Sequence, residues 1–179
     1  MGKQYYEISD RHRDFILSQP LFFVATATRD SRINLSPKGL DSLRILDAKR
    51  VVWLNLTGSG NETAAHLAED GRMTLMFCAF EGDPKILRLY GSAASYQQGS
   101  AEWGEHIGRF APLPGARQII LMNVDLVLSS CGFGVPLFEY LGQRDALPAW
   151  SEKKGEAGIR DYWTTRNRRS IDGKDTDFS

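Results

Sequence analysis

Apolar and polar positions alternate along this chain in short blocks. β-Branched and aromatic residues gather at Leu21–Thr28, Ile33–Ser36, Val51–Leu56, Met73–Phe80, Ile86–Ser95 and Gln118–Leu128. Polar stretches such as TRDSR, GLDSLRILDAKR and FEGDPK lie between the first five. Runs of this length and spacing predict short strands, and with them a barrel or sandwich. Helical patterning is sparser. SDRHRDFILSQP reads as a short helix, capped by Ser9 or Asp10, with Phe15, Ile16 and Leu17 on its apolar side and Pro20 as its stop. Three more helices are expected over about Asn61–Glu69, Ser100–Phe110 and Ala149–Arg169. This mixture predicts a mainly antiparallel barrel with helices added outside it. The barrel is assigned to residues 1–148, and 149–179 form a charged helical tail. That tail carries Trp150, Tyr162 and Trp163, which are expected to dock on the barrel or on a partner subunit.

Composition narrows the choice. The 179 residues are 42% hydrophobic and 25% charged, enough to bury a core in one domain. Lys plus Arg equals Asp plus Glu at 22 each, so no whole-molecule field recruits nucleic acid or anionic membrane. No apolar run approaches the roughly 20 residues that span a bilayer, and MGKQYYEISD lacks the apolar centre of a signal peptide. The expected location is the cytoplasm. Cys78 and Cys131 form neither a disulfide framework nor a metal spacing, and no His/Cys/Asp/Glu cluster suits a metal.

The stretch TGSGNETAAHLAE, Thr57 to Glu69, concentrates the chemistry. Ser59 and Glu62 fit a capping box, the glycines permit a tight entry, and Gly71 marks the end of the helix. Such a helix start presents free N–H groups and the positive end of its dipole, with Ser59, Asn61 and Thr63 as further donors, an arrangement that suits phosphate. Ser36 and Lys38 in INLSPKGL can point at one anion from the end of a strand. Arg88 sits in the apolar strand ILRLYG and needs a partner, a carboxylate such as Glu62 or Asp83, or a phosphate. There is no GxGxxG and no P-loop pattern. His12 and His106 are read as surface residues of helices, and His66 as one turn from Glu62 on the site helix. The SSC trio before Gly132 suggests a tight loop, and Phe133, Pro136 and Phe138 either wall an apolar pocket or close the barrel's end.

Three segments taken in order, FFVATATRDSRINLSPKG, VVWLNLTGSGNETAAHLAEDGRMTLMFCAF and ILRLYGSA, resemble the pyridoxamine 5'-phosphate oxidase-like superfamily of FMN-binding split barrels. SSCGFGVP and YWTTRNRRSIDG resemble a bacterial branch of it. The resemblance implies a Greek-key split β-barrel and a homodimer with FMN sites at the subunit interface. It places Ser36 and Lys38 where the second strand meets the flavin, and Asn55 and Thr57 at the end of the next strand. Ser59, Asn61, Glu62 and Thr63 fall at the helix start that holds the phosphate, and Arg88 falls on the strand approaching the isoalloxazine and ribityl chain. The chain departs from the oxidases proper at two points. NET replaces their consecutive basic residues at the phosphate helix, and RNRRS lacks the histidine of their C-terminal Arg-x-His segment. The resemblance implies an FMN-dependent oxidoreductase, and these departures point to a small-molecule substrate other than the oxidases' own. The alternatives are a non-catalytic binder of FMN or a B6 phosphate, and a haem-binding split barrel for which only His66 is a remote axial ligand.

Overall fold

The alternating runs become strands of one sheet, which curls with its natural twist and a bulge so that its apolar face turns inward. In the computed structural model, which describes residues 2–176, the strands are β1 (Lys3–Tyr5), β2 (Phe22–Thr26), β3 (Asn34–Lys38), β4 (Leu43–Ile45), β5 (Arg50–Leu56), β6 (Arg72–Cys78), β7 (Lys85–Gln97) and β8 (Ala116–Cys131). The helices are α1 (Asp10–Ser18), α2 (Glu62–Glu69), α3 (Ala101–His106) and α4 (Ala146–Arg166). Spatial order is β3-β2-β6-β7-β8-β5-β4, with β1 added along β8, and these pairings are antiparallel. The two edges, β3 and β4, are successive in the chain, and residues 39–42 cross the gap between them. Leu40 and Asp41 turn that corner with φ of 60° and 51°. The result is a split barrel.

Val24, Val51, Trp53, Leu75, Leu87 and Ile120 all point inward and are at most 0% exposed. VVWLNL does not alternate because β5 is buried on both faces: Val51 and Trp53 enter the barrel, while Val52 and Leu54 pack with Phe110 and Ile119 under the α3 region. A bulge between Tyr90 and Gly91 lets the long β7 follow β8 around the barrel. A Cβ on Gly91 would overlap the backbone carbonyl of Asn123. The helix over α1 has the expected Ser9 cap, with His12 returning the bond to the Ser9 N–H.

Several expectations are corrected. β1 and β4 lie in segments read as terminus and turn, and both are three residues long. β3 runs past Ser36 to Lys38, through Pro37, which an edge strand tolerates. Ser129, Ser130 and Cys131 are not a loop: they pair with β1 and β7, and the chain leaves the sheet only at Gly132. His12 and His106 are buried, at 5% and 3% exposure, His12 against Tyr5 and His106 against Arg109. The last helix starts at Ala146 and breaks at Gly155, whose φ of 66° and ψ of 169° no helix accommodates. It sits against the barrel through Trp163, whose Nε1 donates to Thr57 Oγ1 at 2.7 Å.

Candidate functional site

Curling the sheet brings its β3 edge opposite β5 and the start of β8, and α2 begins between them. A cleft of about 560 Å³ opens there. Asn34, Ser36 and Lys38 alternate with Leu35 and Pro37 along β3, so the polar set shares the inward side with Phe22, Val24 and Thr26. The facing wall is Asn55, Arg117 and residues 58–63. The end of α4 contributes Arg166, and the segment after it folds back across the mouth with Arg169, Ser170 and Ile171.

Seven of the nine residues singled out from the sequence line this cleft: Ser36, Lys38, Asn55, Ser59, Asn61, Glu62 and Thr63. Two lie elsewhere. Thr57 is 1% exposed and spends both hydrogen-bonding capacities inside the protein, donating to the Gly115 carbonyl and accepting from Trp163. Arg88 alternates with the fully buried Leu87 and Leu89, so it projects from the opposite face of the sheet, where Nη1 reaches Ser130 Oγ at 3.3 Å. Its neighbour there is neither Glu62 nor Asp83. The helix start also differs from a capping box. Asn61, not Ser59, is the N-cap residue, and no side chain caps the helix. Glu62 instead accepts the backbone N–H of Ile171 at 3.1 Å, which fastens the returning segment over the cleft. Gly71 follows the C-cap Asp70, as expected. Phe133 and Phe138 are 82% and 59% exposed and do not wall the cleft.

The electrostatics are one-sided. Lys38, Arg117, Arg166 and Arg169 line the cleft against a single carboxylate, Glu62, among the described residues. Arg117 is 2% exposed, and its Nη1 donates to Asn167 Oδ1 at 2.7 Å and to the Gly60 carbonyl at 3.2 Å, both neutral acceptors. Burial pushes its pKa down from the ordinary arginine value. Burial, with the Arg117 charge adding to it, also lowers the Lys38 ammonium to about 8. The Lys38 Nζ lies 5.6 Å from the Trp53 ring centroid. Two buried N–H groups of the cleft, Asn61 Nδ2 and Arg117 Nε, have no acceptor among the described residues. Two cations in one cleft, Arg117 fully buried and Lys38 partly so, with spare donors beside them suit an acceptor-rich anion.

A hydrogen-bonded chain holds its β3 wall. Asn34 Nδ2 donates to Thr26 Oγ1 and to Thr63 Oγ1, each at 3.1 Å, which leaves the Asn34 carbonyl oxygen available to a ligand. Thr26 in turn can donate to His66 Nδ1, 3.0 Å away. His66 is 1% exposed and engaged behind the wall, outside the cleft lining, so it offers no axial position for haem. No group of three or more potential metal ligands occurs among the described residues, and no helix there is long and apolar enough to cross a membrane.

Sequence reasoning missed Arg117 and the Asn167 that holds it. Arg117 directly precedes the apolar strand QIILMNV, and a lone cation at a strand entrance was the available signal. RNRRS is plainly basic, but nothing local shows that Arg166 and Arg169 reach the cleft beside β3.

Residues 8–131 match the pyridoxamine 5'-phosphate oxidase family. The pyridoxamine 5'-phosphate oxidase family protein ustO of Aspergillus flavus is 37% identical over 189 residues, covering 94% of this chain and 75% of its own length. Among solved structures, the H111A variant of HupZ from Group A Streptococcus superposes with a TM-score of 0.55 at 22% identity, over 69% of this chain and 99% of its own. A Clostridium acetobutylicum protein related to general stress protein 26, of the pyridoxinephosphate oxidase family, gives 0.51 at 12% identity, covering 68% and 86%. The FAD binding protein from Mycobacterium smegmatis gives 0.50 at 14%, covering 70% and 97%. These structures share the fold.

Proposed function

Because this chain belongs to the pyridoxamine 5'-phosphate oxidase family, we propose that its cleft holds FMN by the phosphate and that the protein is an oxidoreductase acting on a small molecule other than a vitamin B6 phosphate. One observation carries this reading: Lys38 and Arg117 are cations set into the cleft with no carboxylate partner among the described residues. A phosphate monoester, at about two negative charges near neutral pH, supplies what they lack. The orphaned Asn61 Nδ2 and Arg117 Nε are donors, as a phosphate requires. Ser36, Ser59 and Thr63 add hydroxyls, and Asn34 and Asn55 give the amide groups that a ribityl chain or ring edge can use. Bound flavin supplies hydride and electron transfer; the protein binds, orients and sets the local field. The FAD-binding relative is consistent with a flavin in this fold.

A second copy of the chain completes the molecule in this reading. One row on the outer face of the sheet runs Pro37, Phe23, Met76, Arg88, Leu128 and Gln4. It is largely apolar around one arginine, and Leu35 beside it is 63% exposed. A homodimer covers that row and gives Arg88 a partner surface. Sedimentation should return twice the 20.1 kDa chain mass. Free Cys78 and Cys131 fit a reducing compartment, the cytoplasm.

The first test is the visible spectrum and an FMN titration followed by a thermal melt. A flavin spectrum or a saturable rise in melting temperature is expected; a colourless protein indifferent to FMN removes the proposal. Turnover of the bound flavin by reduced nicotinamide nucleotide or a substrate separates an enzyme from a non-catalytic binder.

The pH dependence has a definite sign. Burial disfavours charged Lys38, so the folded chain releases this proton near pH 8 while the unfolded chain keeps it up to about 10.5. Its cost is present in full below that window, and ligand-free stability rises across it. An anion needs the charged form. FMN affinity should therefore fall between about pH 8 and pH 9.5, and a flat affinity across that range would detach Lys38 from the phosphate.

A further inference from the structure

We infer that the protein has a second ligand site, between α4 and the loop before β8, that takes a small, uncharged, mostly apolar molecule bearing one hydrogen-bonding group. A cavity of about 330 Å³ lies there and shares no lining residue with the anion cleft. Its size is at the small end of the roughly 300–1,000 Å³ of ligand pockets. Leu113, Pro114, Ile159 and Trp163 form its apolar walls.

The polar element is Ser151. It is 2% exposed, and its Oγ is buried with no hydrogen-bond partner among the described residues. A serine on a helix ordinarily returns its hydroxyl to a backbone carbonyl of the preceding turn; this one does not. It lies instead over Gly115, close enough that a Cβ there would come within 2.7 Å of Ser151 Oγ. Gly115 takes φ of 77°, so both its conformation and the hydroxyl above it exclude a side chain. The helix opens on the same side, at Gly155, where a Cβ would meet nothing within 4 Å. An orphaned hydroxyl in an apolar cavity is costly without a ligand group or water to satisfy it.

The charges at this site exclude the ligand type of the first cleft. Glu152, Glu156 and Arg160 line it, and Arg160 is taken by Glu156 at 2.7 Å, which leaves Glu152 facing the opening. An anion meets a like charge there. A monocyclic phenol fits inside this volume with room to spare and has the matching polarity: a ring for Trp163 and Ile159, and one hydroxyl for Ser151. The site also touches the frame of the anion cleft, since Trp163 donates to Thr57 beside Gly58.

The test uses the full chain without added flavin, so it does not depend on the flavin reading. p-Cresol is titrated while the indole N–H resonance of Trp163, identified by its loss in Trp163→Phe, is followed. Saturable movement of that resonance is expected. Ser151→Ala should weaken the p-cresol affinity about threefold to tenfold, the range of one net hydrogen bond, while leaving the fold and any FMN affinity in place. 4-Methylbenzoate, of the same shape but anionic, should not move the resonance at the same concentration. Absence of a saturable shift, an affinity unchanged by Ser151→Ala, or an equal response to 4-methylbenzoate would each overturn the assignment.

Discussion

Gly91→Ala is expected to lower the melting temperature by about 6–12 °C, taking a loss of about 3 kcal/mol and about 2–4 °C per kcal/mol for a chain of this size. The added methyl would occupy the space of the Asn123 carbonyl, and the Val124 Cα lies only 3.1 Å from the same point. Both obstacles are backbone in β8, so no rotamer change relieves the overlap. The β7–β8 ladder has to part at its bulge, and that ladder runs the length of the barrel, from Lys85–Cys131 to Gln97–Gln118. Gly104→Ala is the matching control. It lies inside α3 with nothing within 4 Å of its Cβ position. Alanine there should be neutral or stabilising by about 0.5–1 kcal/mol. If the two variants melt alike, the bulge is softer than its geometry says.

Lys38→Met should move two measurements in opposite directions. Methionine keeps most of the stem that lies near Trp53 and removes the charge whose burial is costly. Ligand-free stability should hold or rise, because replacing a partly buried charge that has no carboxylate partner among the described residues by an apolar group of similar shape removes its desolvation cost. FMN affinity should fall by about 1.5–3 kcal/mol, roughly 10-fold to 150-fold, the scale of a charge-assisted hydrogen bond. A merely structural lysine would lose stability and leave affinity alone. That combination would place the phosphate away from β3. Thermal melts with and without FMN read both quantities on one sample.

The fold was legible where side-chain pattern and backbone agree. Met73–Phe80 and Ile86–Ser95 overlap β6 and β7 because one face of each is buried and the other is not. The three-residue strands β1 and β4 were not legible, since they are held by partners far along the chain and carry no periodicity of their own. At the site, Ser36, Lys38 and the helix start announced themselves as donors. Whether a donor on a strand enters the cleft depends on the parity of its position, and that parity sends Lys38 inward and Arg88 outward. Composition does not reveal parity. Arg117 was hidden for another reason: only the return of Asn167, whose Nδ2 also holds the Gly58 carbonyl at 3.1 Å, makes it part of the site.

Pro37 lies between Ser36 and Lys38 on an open sheet edge. A proline survives in a ladder only where its missing N–H would have pointed away from the neighbouring strand. The outer margin of β3 therefore lacks a donor midway along, and the opposite margin, β4, offers only three residues. Foreign strands find no long, regular template on either side. The residue that spaces the two cleft-facing side chains thus also guards the barrel against runaway edge-to-edge polymerisation.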